Sequence, residues 1–331
     1  MRHYNLWLEK YNRKRDELLS ELEAHGRHIS KLKGSLPLEK LFHEIPDSGG
    51  EYGKYCFVDG GEGIRELVGC SVYFIKSSGL VMEKDRKDSH KFVRELDMGI
   101  LGYDDYTKDR VELMRDAMEF STAVKCIREH QPGMLFLDGS LYVKANRARV
   151  NCPEFETYVK KFSELIGLCR AEGIKLVGVS EDSKSRIFKQ YIESTCNVKF
   201  PEFITDPTLL ELLASKANEV FVTEKFVPHS EHFTSPTVYI KPTRVSTPLR
   251  VDVLDGEKDF DGIIKTIVDL SRGSRGYGYP LPLYLVHLDA RIERKHADWS
   301  VNQMVNYIRR KNQTLWNALL KKRRRESRPG E

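Results

Sequence analysis

Two acids in this chain each close a short apolar run. Tyr55, Cys56, Phe57 and Val58 lead into Asp59–Gly60–Gly61, and Met134, Leu135, Phe136 and Leu137 lead into Asp138–Gly139–Ser140. A continuous apolar run bounded by turn residues reads as a strand buried on both faces. Each aspartate then falls at the carboxyl end of a central strand, where open α/β sheets bind their ligands. Side by side, two such strands present two carboxylates at one sheet edge. Asp-Gly also suits a plain turn, because both residues accept turn angles. Glu112 lies beside the apolar stripe of a helix and could point along its edge toward the same place; a solvated glutamate is the alternative.

Clustered carboxylates without sulfur donors select hard cations, Mg²⁺ or Mn²⁺. Asp59, Glu112 and Asp138 could hold two of them roughly 4 Å apart, the spacing used for in-line attack on a phosphodiester. His287 could complete a metal shell, tilting preference toward Mn²⁺, or relay a proton. A lone histidine on a helix also serves as a hydrogen-bonded packing residue. Competing chemistries lack their motifs, since the sequence has no P-loop, nucleophile elbow or dinucleotide fingerprint. The cysteines (Cys56, Cys70, Cys126, Cys152, Cys169, Cys196) are scattered without a CxxC pair, against zinc or thioredoxin-type redox.

The elements that must position these residues alternate in type. Segments 55–58, 67–76 and 80–83 read as consecutive strands, with a tight turn at Ser77–Ser78–Gly79 and an irregular insertion over 85–105. Residues 107–130 form an amphipathic helix through Val111, Met114, Ala117, Met118 and Val124, stopped by Pro132–Gly133. A helix over 153–172, a strand over 174–179 and a helix over 182–192 continue the rhythm of crossover units. A short helix at 206–213 follows, then strands near 220–222, 237–240 and 249–253 and helices over 260–271 and 281–293. The fold class is α/β, a mixed sheet flanked by helices, with helical extensions at both ends. The parse is a helical arm over 1–36, a dimerisation element or a capping helix, a catalytic unit over 37–300, and a C-terminal helix with a basic tail over 301–331.

Fifty-four Lys and Arg against 49 Asp and Glu leave a net charge of only +5, so distribution matters more than total. Lys184 and Arg186, among serines at a predicted helix start, suit a phosphate or an ordinary cap. Arg272 and Arg275 sit in a Gly/Arg/Tyr loop whose cations pair phosphates and whose tyrosines stack bases, or which is a plain linker. The basic run at 321–325 binds a polyanion or stays solvated. No apolar run reaches the length of a membrane span and no signal peptide opens the chain, so the expected location is cytoplasmic.

These features occur in the order of a known family. Phe57–Val58–Asp59–Gly60, Val111–Glu112–Leu113, Phe136–Leu137–Asp138–Gly139–Ser140–Leu141, Val177–Gly178–Val179–Ser180 and Tyr279–Pro280–Leu281–Pro282–Leu283 leading to His287 resemble the NurA family of archaeal DNA-end-processing nucleases. The resemblance implies an RNase H-like fold and a metal site of Asp59, Glu112, Asp138 and His287, with Tyr279 close to the scissile phosphate to orient it or stack a base. It also implies a homodimer that docks on a hexameric HerA-type ATPase and threads DNA into its centre. Two positions depart from it: the first motif reads Asp-Gly-Gly where Asp-Gly-Ser is common, and Glu181 stands where many relatives are basic. The expectation is a Mn²⁺- or Mg²⁺-dependent deoxyribonuclease in DNA end resection, an endonuclease on single strands and a 5′–3′ exonuclease. Another RNase H-like phosphotransferase, or a non-catalytic DNA-binding adaptor that stimulates a translocase, are the alternatives.

Overall fold

A computed structural model describes residues 2–47, 53–83, 90–141, 152–181, 183–214, 220–228, 235–273 and 277–321. The chain opens with α1 (Arg2–Lys33), the single turn α2 (Leu38–Leu41) and the short β1 (Phe42–His43). Three long strands follow, β2 (Lys54–Glu66), β3 (Ser71–Glu83) and β4 (His90–Leu101). Next come α3 (Thr107–His130), β5 (Met134–Asp138), α4 (Pro153–Glu172) and β6 (Lys175–Ser180). Then α5 (Ile187–Cys196) and α6 (Asp206–Leu213) precede β7 (Phe221–Thr223), β8 (Thr237–Lys241) and β9 (Leu249–Val253). Four helices close the chain, α7 (Phe260–Arg272), α8 (Leu281–Ala290), α9 (Arg294–Lys311) and α10 (Gln313–Leu319).

Among the described residues one sheet runs in the order β1-β7-β8-β9-β6-β5-β2-β3-β4. β2, β3 and β4 form an antiparallel meander, while β5 joins β2 and β6 in parallel. That is the RNase H-like mixed sheet, extended by the antiparallel strands from β9 to β1. Strand periodicity divides the core. Cys56, Val58, Leu135 and Leu137 pack under α3 and α4, whereas Tyr55, Phe57, Met134 and Phe136 pack under α7 and α8. Phe57 stacks on Phe136 with centroids 4.9 Å apart. Each such fully buried side chain contributes about 1.5–3 kcal/mol.

Several expected boundaries move. Asp59–Gly60 makes no turn, because β2 runs straight through both residues. The predicted break at Ser77–Ser78–Gly79 lies inside β3, where Gly79 is opposite Val58. A Cβ at Gly79 would come within 2.6 Å of the Cys126 sulfur, so this glycine admits α3 close to the sheet rather than bending the chain. The supposed insertion contains β4, paired to β3 from Ser71↔Leu101 to Met82↔His90. Its Leu96, Met98 and Ile100 are exposed, which hid the strand among polar neighbours. α5 starts at Ile187 rather than 182, because Asp206 accepts hydrogen bonds from Phe188 N and Lys189 N and so caps the helix from a distance. The C-terminal helix begins at Arg294, crosses position 301, and restarts after Asn312, whose side chain accepts from Leu315 N. No helix of the described residues is long and apolar enough to cross a membrane.

Candidate active site

The parallel register Val58↔Leu137 sets Asp59 and Asp138 next to each other on adjacent strands. Alternation sends both side chains to the face that carries α8. There His287 Nδ1 lies 2.9 Å from Asp59 Oδ2 and 3.8 Å from Asp138 Oδ2. One ligand atom from each of Asp59, Asp138 and His287 falls within 4.8 Å of the others.

Close packing makes this meeting possible. A Cβ at Gly61 would stand 2.2 Å from the Ala290 carbonyl oxygen, and one at Gly60 would strike Glu119 and Arg115 of α3. The Asp-Gly-Gly motif therefore lets α8 close on one face and α3 on the other, which accounts for glycine in place of the common serine. Asp289 ties α8 to the meander, accepting from Ser78 Oγ at 2.6 Å and from Arg94 at 2.7 and 2.9 Å. On the other strand, Gly139 turns the chain at φ +128° and donates its N–H to Val179 O. An L side chain there would be strained.

Asp59 is almost fully buried and accepts from Gly60 N at 2.7 Å. Burial, and then the charge of Asp59, push the Asp138 carboxyl up to about 7, against a hydrogen bond from the Tyr279 hydroxyl. A hydrogen bond with Asp59 raises the His287 imidazole. The Tyr279 phenol is raised by its burial and then by Asp138. Two carboxylates this close, drawing on a proton for relief, form a donor set that suits a hard divalent cation. Mn²⁺ or Mg²⁺ therefore fits Asp59, Asp138 and His287.

Glu112 does not join that group. It is on α3, across the sheet from His287, 3.8 Å from Lys108 and close enough to Glu62 to help raise that carboxyl. The charges on this face centre on Arg115, paired with Asp116, Glu119 and Glu62. Tyr279 comes to the site, but its ring is 2% exposed and offers no face to a base. Its hydroxyl instead steadies Asp138. Lys184 and Arg186 are exposed on the loop after β6, where α5 has its own cap in Asp206. Arg272 is exposed at the end of α7, 3.8 Å from Asp269. Arg275 and the basic tail from 322 lie outside the described residues.

A cleft of about 600 Å³ opens beside Asp138 and His287. It brings in residues that the sequence reading did not assign to a site. Glu181 follows β6 and acts electrostatically on Asp138, Tyr279 and His287. Arg250 lines the cleft while bound through two nitrogens to Asp252, each at 3.0 Å. Asp252 also accepts from Leu141 N and Thr237 Oγ1, bracing the turn after Asp138. The signal for this pair was an Arg and an Asp two apart in a buried strand, hence on one face.

Residues 53–292 match the NurA domain family. The chain is 23% identical over 350 aligned residues to a DNA double-strand break repair nuclease NurA of Sulfurisphaera tokodaii, covering 96% of this chain and 98% of that one. Its fold is similar to the crystal structure of the NurA nuclease from Sulfolobus solfataricus, with a TM-score of 0.65, 17% identity and coverage of 91% and 99%. A NurA structure with manganese matches at a TM-score of 0.62 and 11% identity, over 90% of this chain and 98% of the other. With most of its length inside the family's domain, the chain belongs to the NurA family.

Proposed function

We propose that this chain is a Mn²⁺- or Mg²⁺-dependent DNA nuclease that processes broken DNA ends for recombinational repair. The observation that carries the reading is the convergence of Asp59, Asp138 and His287 at the sheet edge of a NurA-family chain. A relative over nearly the whole length is named a double-strand break repair nuclease, and similar folds include NurA with manganese and NurA bound to dAMP and manganese.

Asp59 and Asp138 would hold the cation with His287. The cation supplies charge stabilisation at the scissile phosphate. Tyr279 keeps the Asp138 carboxylate oriented, and Asp289 keeps α8, and with it His287, in place. Binding the cation requires the imidazole and the carboxyl pair to give up the protons they share. The half-exposed imidazole is open to solvent and can pass its proton there.

Single-strand endonuclease and 5′–3′ exonuclease action are proposed with this activity, as is docking on a hexameric HerA-type ATPase. A homodimer is supported by α1, whose Trp7, Leu18, Leu19 and Leu22 are exposed along one long helix. Lys184, Arg186, Arg272 and Arg275 are proposed to contribute non-specific backbone affinity, which falls steeply with salt.

The test is degradation of end-labelled single- and double-stranded DNA by wild type and Asp138→Asn, with Mn²⁺, Mg²⁺ or EDTA. Metal-dependent cleavage that the variant loses while still binding DNA is the expected result. Labels at the 5′ and 3′ ends then read polarity. Wild type inert with every metal, or a fully active variant, would overturn the reading.

A further inference from the structure

We infer that Tyr277 is a stacking platform for one nucleobase of the bound strand, held in place by Glu181. This rests on the nuclease reading above and adds a base subsite to it.

Tyr277 lines the same cleft as Asp138 and His287, and it is 46% exposed, whereas the neighbouring Tyr279 is buried. Its ring is braced on two sides. Tyr279 meets it at 6.2 Å and Tyr284 at 5.4 Å between centroids, both with planes inclined by 68°. The Tyr277 hydroxyl donates to Glu181 Oε2 at 2.7 Å. A ring fixed at its hydroxyl and flanked by two others loses little freedom when a base lies on it.

The charge of the cleft gives stacking its purpose. The carboxylates of Asp138 and Glu181 line the cleft together with Arg291 and with Arg250, which is paired with Asp252, so its charges are mixed and do not by themselves fix where a strand lies. An aromatic face attracts a base without net charge and without regard to sequence. Glu181 thereby has a role at this position, accepting the hydrogen of the Tyr277 hydroxyl.

The test compares binding of oligothymidylate with that of an abasic oligonucleotide of equal length and charge, by fluorescence anisotropy with Ca²⁺ in place of Mn²⁺. Wild type should prefer the base-bearing strand by about ten-fold, the scale of one stacked base. Tyr277→Ala should bring the ratio near one, and Tyr277→Phe should keep most of it because the ring remains. A wild-type ratio near one, or a ratio that survives Tyr277→Ala, would overturn the inference. Mn²⁺-dependent cleavage measured on the same preparations separates the two readings. Wild type that cleaves DNA but shows no base preference sinks only the subsite, while wild type that neither cleaves nor binds sinks both.

Discussion

His287 Nδ1 and Asp59 Oδ2 meet at 2.9 Å across 228 positions of sequence, one on a late helix and the other in the middle of β2. With Asp138 close by, the three groups share protons in the absence of a cation, and the competition between proton and metal governs the pH behaviour of the site.

The Asp138 carboxyl is held at about 7 by burial and the charge of Asp59, and His287 is raised by its bond to Asp59. Both bind protons more tightly folded than unfolded. Their stabilising contribution is therefore present at low pH and lost as pH rises through the folded values. In EDTA, wild type should lose stability relative to Asp138→Asn between about pH 4 and about pH 7, by on the order of 4 kcal/mol. Thermal unfolding of both proteins across that range checks this, and a constant difference would count against it. Mn²⁺ should reverse the loss, with affinity rising as pH rises because binding displaces protons.

Asp289 collects Ser78, Arg94 and Lys76 and so fastens α8 over the meander. Asp289→Ala leaves these partners unsatisfied and should cost about 2–3 kcal/mol in urea unfolding. Because α8 carries His287, Mn²⁺ binding by calorimetry should weaken as well. Arg94→Ala combined with Asp289→Ala should cost less than the sum of the two single changes.

Gly61 admits the Ala290 carbonyl to within the space of a methyl group. Gly61→Ala should push α8 outward and lower stability by about 1–3 kcal/mol, the range for overpacking. Activity should fall further than stability alone explains, since Asp59 and His287 separate. An active, equally stable variant would show that α8 can yield without moving the site.

Asp252 is buried with Arg250, Thr237 and the Leu141 amide around it. Asp252→Ala removes both hydrogen bonds to the buried Arg250 guanidinium and should cost about 3–5 kcal/mol, read by denaturant midpoint. Replacing Arg250 and Asp252 together by apolar residues should recover much of that loss while still loosening the turn after Asp138.

The two apolar runs before Asp59 and Asp138 were enough to predict buried strands, because burial on both faces leaves a continuous local pattern, while the parallel pairing of β2 with β5 is what sets the acids side by side. The long helices were legible for the same reason. The uninterrupted courses of β2 and β3 were not, because a glycine that admits a helix looks in sequence like one that makes a turn. Glu112 read as well as Asp138 did, and it is the sheet that sets it across from His287. Glu181, Tyr277 and Arg250 enter the cleft through strand order and the packing of α8 against β2. Local pattern records how much each residue is buried; only the paths of the chain between them decide which residues share a site.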